Sequence, residues 1–181
     1  MEHEMIDHLN EKTGEVIGVI DKAVAHRDGL WHKSVHVWVV NDNNQILLQQ
    51  RCAKKKFFPN VWDVSFAGHV GAGEDAITSA IREGEEELGI NLDTDKMKYL
   101  FTNKEKLSYD TIQSNEFVEI YLLMQNINLD DIVIQESEVG GVKYVDIIDF
   151  FKMVDSKNEE LFPHINEYEQ LKVHLEKEGI I

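Results

Sequence analysis

The chain has 181 residues, 34 Asp+Glu against 18 Lys+Arg, a formal charge of −16, one Cys and two Pro. That length builds one domain with a hydrophobic core, and the acidity excludes a protein that grips bulk nucleic acid or an anionic membrane, since both require basic surfaces. A lone Cys makes no internal disulfide, Met1-Glu2-His3-Glu4 lacks the basic flank and apolar core of a signal peptide, and no apolar run reaches membrane-spanning length, so a cytoplasmic protein is expected.

In chain order, a turn at Lys12-Thr13-Gly14 precedes a short strand over 16–20. A β-branched and aromatic strand follows at 35–40, then the polar turn Asn41-Asp42-Asn43-Asn44, then a strand from Ile46, the pair reading as a hairpin. Arg51 to Lys56 is a basic loop without an acid, and 61–67 reads as one strand running into Gly68, Gly71 and Gly73. The period then changes. Ala76, Ile77, Ala80, Ile81, Gly84 and Leu88 recur at helical steps, and Gly89 closes that helix. Strands are expected at 99–102, 117–124 and 142–145, and helices at 147–154 and 164–177. Strands on both sides of a central helix predict an α/β fold of three layers with a mixed sheet.

The central helix puts Glu83, Glu86 and Glu87 on one face, at i, i+3 and i+4. Like charges so spaced cost roughly 0.2–0.5 kcal/mol per pair, and they stand at the negative end of the helix dipole. Taken alone, the cluster reads as a solvated acidic face. A divalent cation would remove both penalties, and oxygen-only ligands select a hard one, Mg²⁺ or Mn²⁺.

Its surroundings favour the metal. Gly68, Glu74, Arg82, Glu83, Glu86, Glu87 and Gly89 keep the spacing G-x5-E-x7-R-E-x-x-E-E-x-G, followed by apolar Ile90. At average residue usage, such a coincidence has a chance on the order of 10⁻⁸ per starting point. This stretch, residues 68–90, resembles the Nudix box, with Gly84 standing where the family has an apolar residue at a packing cost of roughly 1 kcal/mol. The resemblance implies a single Nudix domain over 1–181, a three-layer α/β/α sandwich, and hydrolysis of a small organic diphosphate with Mg²⁺ or Mn²⁺. Glu83, Glu86 and Glu87 would hold the metal, Glu83 or a partner outside the box would activate water, and Arg82 would orient the acids.

The flanks are similar to the isopentenyl-diphosphate isomerase-like branch of that superfamily: His32 and Trp38, the run Gln50 to Pro59, and Trp62-Asp63 with Ser65 and Ala67-Gly68-His69. The resemblance implies that Arg51 and Lys55 bind diphosphate. Lys22 and His26 would approach the same site, and His32, His69 and Glu116 would hold a second metal, with Glu116 also catalytic. It allows a homodimer. The departures are Ala67 where the isomerase has its catalytic Cys, Ser114 where it has a second Glu, and Phe162-Pro163-His164 where it has Ser-Pro-Trp. A methyl group transfers no proton, and Cys52 lies too far back to substitute.

The residues themselves leave plainer readings open: hydrogen-bonded histidines at 32, 36 and 69, a solvated loop at 51–56, core tryptophans, and surface charge at Glu136 and Glu138. Among the tryptophans, Trp62 is the best placed to stack on a ligand. The leading expectation is phosphoanhydride hydrolysis; the alternatives are allylic isomerisation and a catalytically idle diphosphate-binding module.

Overall fold

The computed structural model describes residues 4–181; Met1, Glu2 and His3, part of the leader reading above, lie outside the described residues. The chain opens with an antiparallel ribbon, β1 (Met5–Leu9) against β2 (Val16–Asp21). Its turn is built locally: the Asn10 carboxamide oxygen accepts from the amides of Lys12 and Thr13, and Gly14 sits at φ +72. Helix α1 (Lys22–Asp28) follows, capped by the Asp21 side chain and ended by Gly29 at φ 64. Neither β1 nor α1 was expected. Each is too short to show a hydrophobic period.

The main sheet has seven strands. At its centre β3 (Trp31–Val40) runs parallel to β8 (Ile112–Met124), from Trp31 opposite Asn115 to Val40 opposite Met124. The other pairs are antiparallel: β7 (Met97–Tyr109) on β8, β4 (Gln45–Arg51) with β9 (Val139–Asp146) and β5 (Trp62–Asp63), and β6 (Phe66–His69) on β3. The sheet is therefore mixed, as expected. Two details differ from the sequence reading. The 35–48 hairpin is paired only at Val40 and Ile46, because β3 then turns to β6 while β4 turns to β9. The single strand at 61–67 is split at Ser65, whose hydroxyl donates to the Leu47 carbonyl at 2.6 Å and accepts from the Val39 amide at 2.8 Å. That side chain joins β3 to β4 across the gap.

Alternation along β3 divides the core in two. Val35, Val37 and Val39 face α2 (Ala76–Leu88), meeting Ala80 and Leu88. Trp38 and Val40 face α3 (Ile147–Asp155) and α4 (Ile165–Lys177), meeting Phe150, Tyr168 and Leu171. This is the three-layer α/β/α sandwich. Ile6 of β1 bridges to Gly71, and Leu171 and Leu175 of α4 are fully buried. No helix among the described residues is long and apolar enough to cross a membrane.

Candidate active site

Helix α2 starts where the Asp75 side chain accepts from the Thr78 amide at 2.7 Å, and ends at Gly89, φ 65, whose amide bonds Glu85 at 3.0 Å. Gly84, the departure from the family pattern, is buried, and a Cβ there would lie 3.2 Å from Leu92. The missing side chain lets Leu92 pack against the helix, which offsets its propensity cost. Gly68 has a stricter reason. A Cβ there would sit 2.2 Å from the Glu83 side chain, so only glycine lets that carboxylate cross the end of β6. Gly71 does the same for Glu74, at 2.7 Å.

Arg82 fixes the acids. Its Nη1 donates to Glu83 at 2.6 Å and lies 3.8 Å from Glu86, while Nη2 donates to the His69 carbonyl at 3.2 Å, tying helix to strand. Glu87 is 7% exposed and accepts from the Gln49 carboxamide at 3.2 Å. Burial, with Glu83 nearby, pushes its carboxyl up to about 7, and burial raises Glu83 as well. Buried carboxylates that hold their protons so readily are short of positive charge, and a hard cation among oxygen donors supplies it. Glu83 and Glu87 fit a divalent metal on these grounds, with Glu86 exposed beside Arg82.

A second cluster lies across the cavity. Ligand atoms of His26, His32, His69 and Glu116 all fall within 4.8 Å of one another. The His32 Nδ1–H donates to the Leu30 carbonyl at 2.8 Å, which turns Nε2 inward, where it makes no hydrogen bond among the described residues and lies 3.6 Å from Glu116 Oε1. His26 and His69 face each other through Nε2 atoms 3.2 Å apart. Burial lowers both of their pKa values, the His69 value well below the ordinary one, which keeps lone pairs free. Ser114, at the position of the isomerase's second Glu, donates its hydroxyl to Glu116. Imidazole-rich donors of this kind suit a transition metal.

Both clusters open on one cavity of about 450 Å³. Of the residues expected to act, Lys22, Arg51, Lys55, His69, Arg82, Glu83, Glu86, Glu87 and Glu116 line it, while His32 lies buried behind it. Lys22 and Lys55 are paired with Glu4 and Glu138. Arg51 spends several donors on its own loop, to the Phe57 carbonyl at 2.9 Å, the Phe58 carbonyl at 3.0 Å and Asp63 at 3.2 Å. That loop needs a clamp, since Phe58 and Asn60 both have positive φ, 45 and 64. Ala67 presents its methyl to the cavity. Cys52 is buried, with its thiol on the Ser137 carbonyl at 3.0 Å. Trp38 is core, and Trp62, the best placed of the tryptophans to stack on a ligand, packs against that core and carries the Lys143 ammonium 3.8 Å from its ring centroid.

The sequence reading missed a buried ionic network at the same cavity. His164 donates through Nε2 to Asp63 at 3.0 Å and through Nδ1 to Glu105 at 3.0 Å; the two carboxylates raise its pKa well above the ordinary value, and Asp63 is correspondingly lowered. His36 Nδ1 is 2.9 Å from Glu167, which also accepts from Trp38 Nε1 at 2.8 Å. His36 had only its place on the strand face of His32 to mark it, Asp63 only its place in the Trp62-Asp63 motif, and nothing in a single sequence points to Gln49, Glu105 or Glu167.

The NUDIX domain pattern matches residues 30–165. Nudix hydrolase 3 of Arabidopsis thaliana is 37% identical over 170 residues, 91% of this chain but 22% of that protein, so the chain spans about a fifth of that relative's length. The isopentenyl-diphosphate Delta-isomerase of Shigella boydii is 28% identical over 86% of this chain and 84% of its own. A crystal structure from Deinococcus radiodurans superposes with TM-score 0.67 at 22% identity, covering 84% of this chain and 90% of that one. With the sandwich, the box and its acidic helix face in place, the chain belongs to the Nudix family.

Proposed function

We propose that the chain hydrolyses the phosphoanhydride bond of a small organic diphosphate, with Mg²⁺ or Mn²⁺ held by Glu83, Glu86 and Glu87. The observation that carries this reading is that the three carboxylates, with Arg82 bonded to Glu83 and Gln49 to Glu87, line one cavity with Lys22, Arg51 and Lys55. Divalent-metal dependence is general in the family; the all-oxygen donor set favours the hard cations. The bound metal supplies Lewis-acid polarisation of phosphoryl oxygens and a lowered pKa for water.

The chain's own groups do the rest. Lys22 and Lys55 exchange Glu4 and Glu138 for phosphate oxygens, and Arg51 holds the loop that brings Lys55 in. Arg82 orients Glu83, which takes the proton of the attacking water, with Glu116 the candidate base on the opposite side. The His26, His32, His69 and Glu116 group would hold a second metal. With Ala67 in place of a thiol, the chain lacks the proton-transfer group that isomerisation uses. A free, buried Cys52 accords with a reducing compartment, the cytoplasm.

The test is a panel of nucleotide, sugar, coenzyme A and prenyl diphosphates with Mg²⁺ and Mn²⁺, reading released phosphate and isomer together. Glu86→Gln should cost about two orders of magnitude or more in phosphate release. Unchanged turnover in that variant overturns the assignment.

A further inference from the structure

β3 carries a polar stretch that the acidic helix does not use. Alternate residues of a strand share a face, and on this face His32 belongs to the imidazole cluster, Trp38 to the core, and Ser34 and His36 to the cavity wall. His36 stands directly opposite Ala67 of β6, their Cβ atoms about 5 Å apart as cross-strand neighbours. The small methyl leaves open the space that His36 borders.

The His36 ring is held from behind. Glu167 is 0% exposed, and each of its oxygens has a donor, Trp38 Nε1 on one and His36 Nδ1 on the other. A carboxylate so far from water is kept only where its bonds are complete. With Nδ1–H committed to Glu167, Nε2 is the ring atom left for a ligand, and it has no hydrogen-bond partner among the described residues. Two residues away, Ser34 is 3% exposed and its hydroxyl also has no partner among the described residues. Asp63, Glu105 and His164 continue the same lining.

We propose that Ser34 and His36 form a hydrogen-bonding subsite for a hydroxyl on the organic half of the substrate, which makes the substrate a hydroxylated diphosphate, bearing ribose or a hexose, in preference to a prenyl diphosphate. The inference rests on the diphosphate-hydrolase reading above. A hydroxyl donates and accepts at once, so it matches a serine and an imidazole nitrogen in either protonation state. A hydrocarbon in the same place would return no bond to the Ser34 hydroxyl or to His36 Nε2. Sites built to hydrogen-bond a substrate hydroxyl reject the analogue that lacks it strongly. His36 touches substrate; Glu167 is a positioning residue.

The experiment uses the full chain with Mg²⁺. Calorimetry measures binding of a methylene-bridged nucleoside-diphosphate sugar and of methylene-bridged isopentenyl diphosphate, and hydrolysis of the two parent compounds is read separately. The hydroxylated analogue should bind at least about 100-fold tighter. His36→Leu should erase at least about tenfold of that preference without weakening the prenyl analogue, and Glu167→Gln should lower the preference through ring orientation while binding of inorganic diphosphate stays unchanged. Where His36→Leu does not fold, Ser34→Ala carries the test, with the preference reduced about fivefold or more. Equal affinity for the two analogues, or a preference intact in every folded variant, overturns the subsite. A preserved preference in wild type that His36→Leu removes, with neither parent hydrolysed, supports the subsite and overturns the hydrolase reading. Hydrolysis without preference does the reverse.

Discussion

Glu87 is asked to do two incompatible things, and Glu87→Gln separates them. The carboxyl is 7% exposed and titrates near 7 where an ordinary glutamate titrates near 4.5. That difference means the ionised form is destabilised in the folded chain by about 3 kcal/mol. The sign follows from the raised value: the neutral form's advantage is fully present below 4.5 and is lost as pH rises through about 7. In chelator, wild type should therefore lose roughly 3 kcal/mol of stability between pH 4.5 and pH 8 through this one group. Glu87→Gln keeps the shape and removes the charge, and its new amide meets the Gln49 side-chain oxygen, which is buried and without a partner among the described residues. The variant should match wild type within about 1 kcal/mol at pH 5 and exceed it by about 2–3 kcal/mol at pH 8. Urea unfolding at both pH values, with chelator, measures this. Adding Mg²⁺ should stabilise wild type at pH 8 and the variant much less, while the variant's turnover collapses. A stability difference that does not change with pH, or a variant less stable at pH 8, refutes the reasoning.

Two further outcomes are expected. His164→Ala leaves buried Asp63 and half-buried Glu105 without their shared cation, which should cost about 3 kcal/mol in urea unfolding. A raised histidine stabilises most below 6.5 and loses that contribution as pH climbs, whereas a lowered aspartate contributes only above 3.8, so the gap from wild type should be widest between those values and shrink above them; a gap constant from pH 5 to 9 refutes this. Gly68→Ala places a methyl where the Glu83 side chain runs, 2.2 Å away, so Glu83 must move and turnover should fall about 100-fold. Gly68 needs no left-handed backbone, so the melting temperature should stay near wild type; full activity in that variant would show that Glu83 does not have to lie there.

Legibility followed locality. Helix α2 was legible because its stop at Gly89 and its three-and-four-residue apolar steps lie inside the segment. The polar arm of β7 was not: only 99–102 looked like strand, yet the strand runs from Met97 to Tyr109, held by pairing with β8 as far as Tyr109 opposite Ile112. Residues such as Lys104, Glu105 and Lys106 have no strand preference of their own. The basic loop was legible as positive charge, but Arg51's bonds to Phe57, Phe58 and Asp63 depend on a backbone path that composition does not reveal.

The sequence by itself determined the acidic helix face, because residues 83, 86 and 87 share one side of any α-helix. It also determined the spacing that marks the box and the concentration of positive charge beside it. Tertiary structure alone decided what that face looks at. Gln49 reaches Glu87 across 38 positions, His164 meets Asp63 across 101, and Glu167 meets His36 across 131. Contacts of that span exist only once β3, β6 and β8 are paired and α2 and α4 are packed on opposite faces. The structure also gave the glycines at 68 and 84 their reasons, since the atoms a Cβ would strike belong to Glu83 and Leu92.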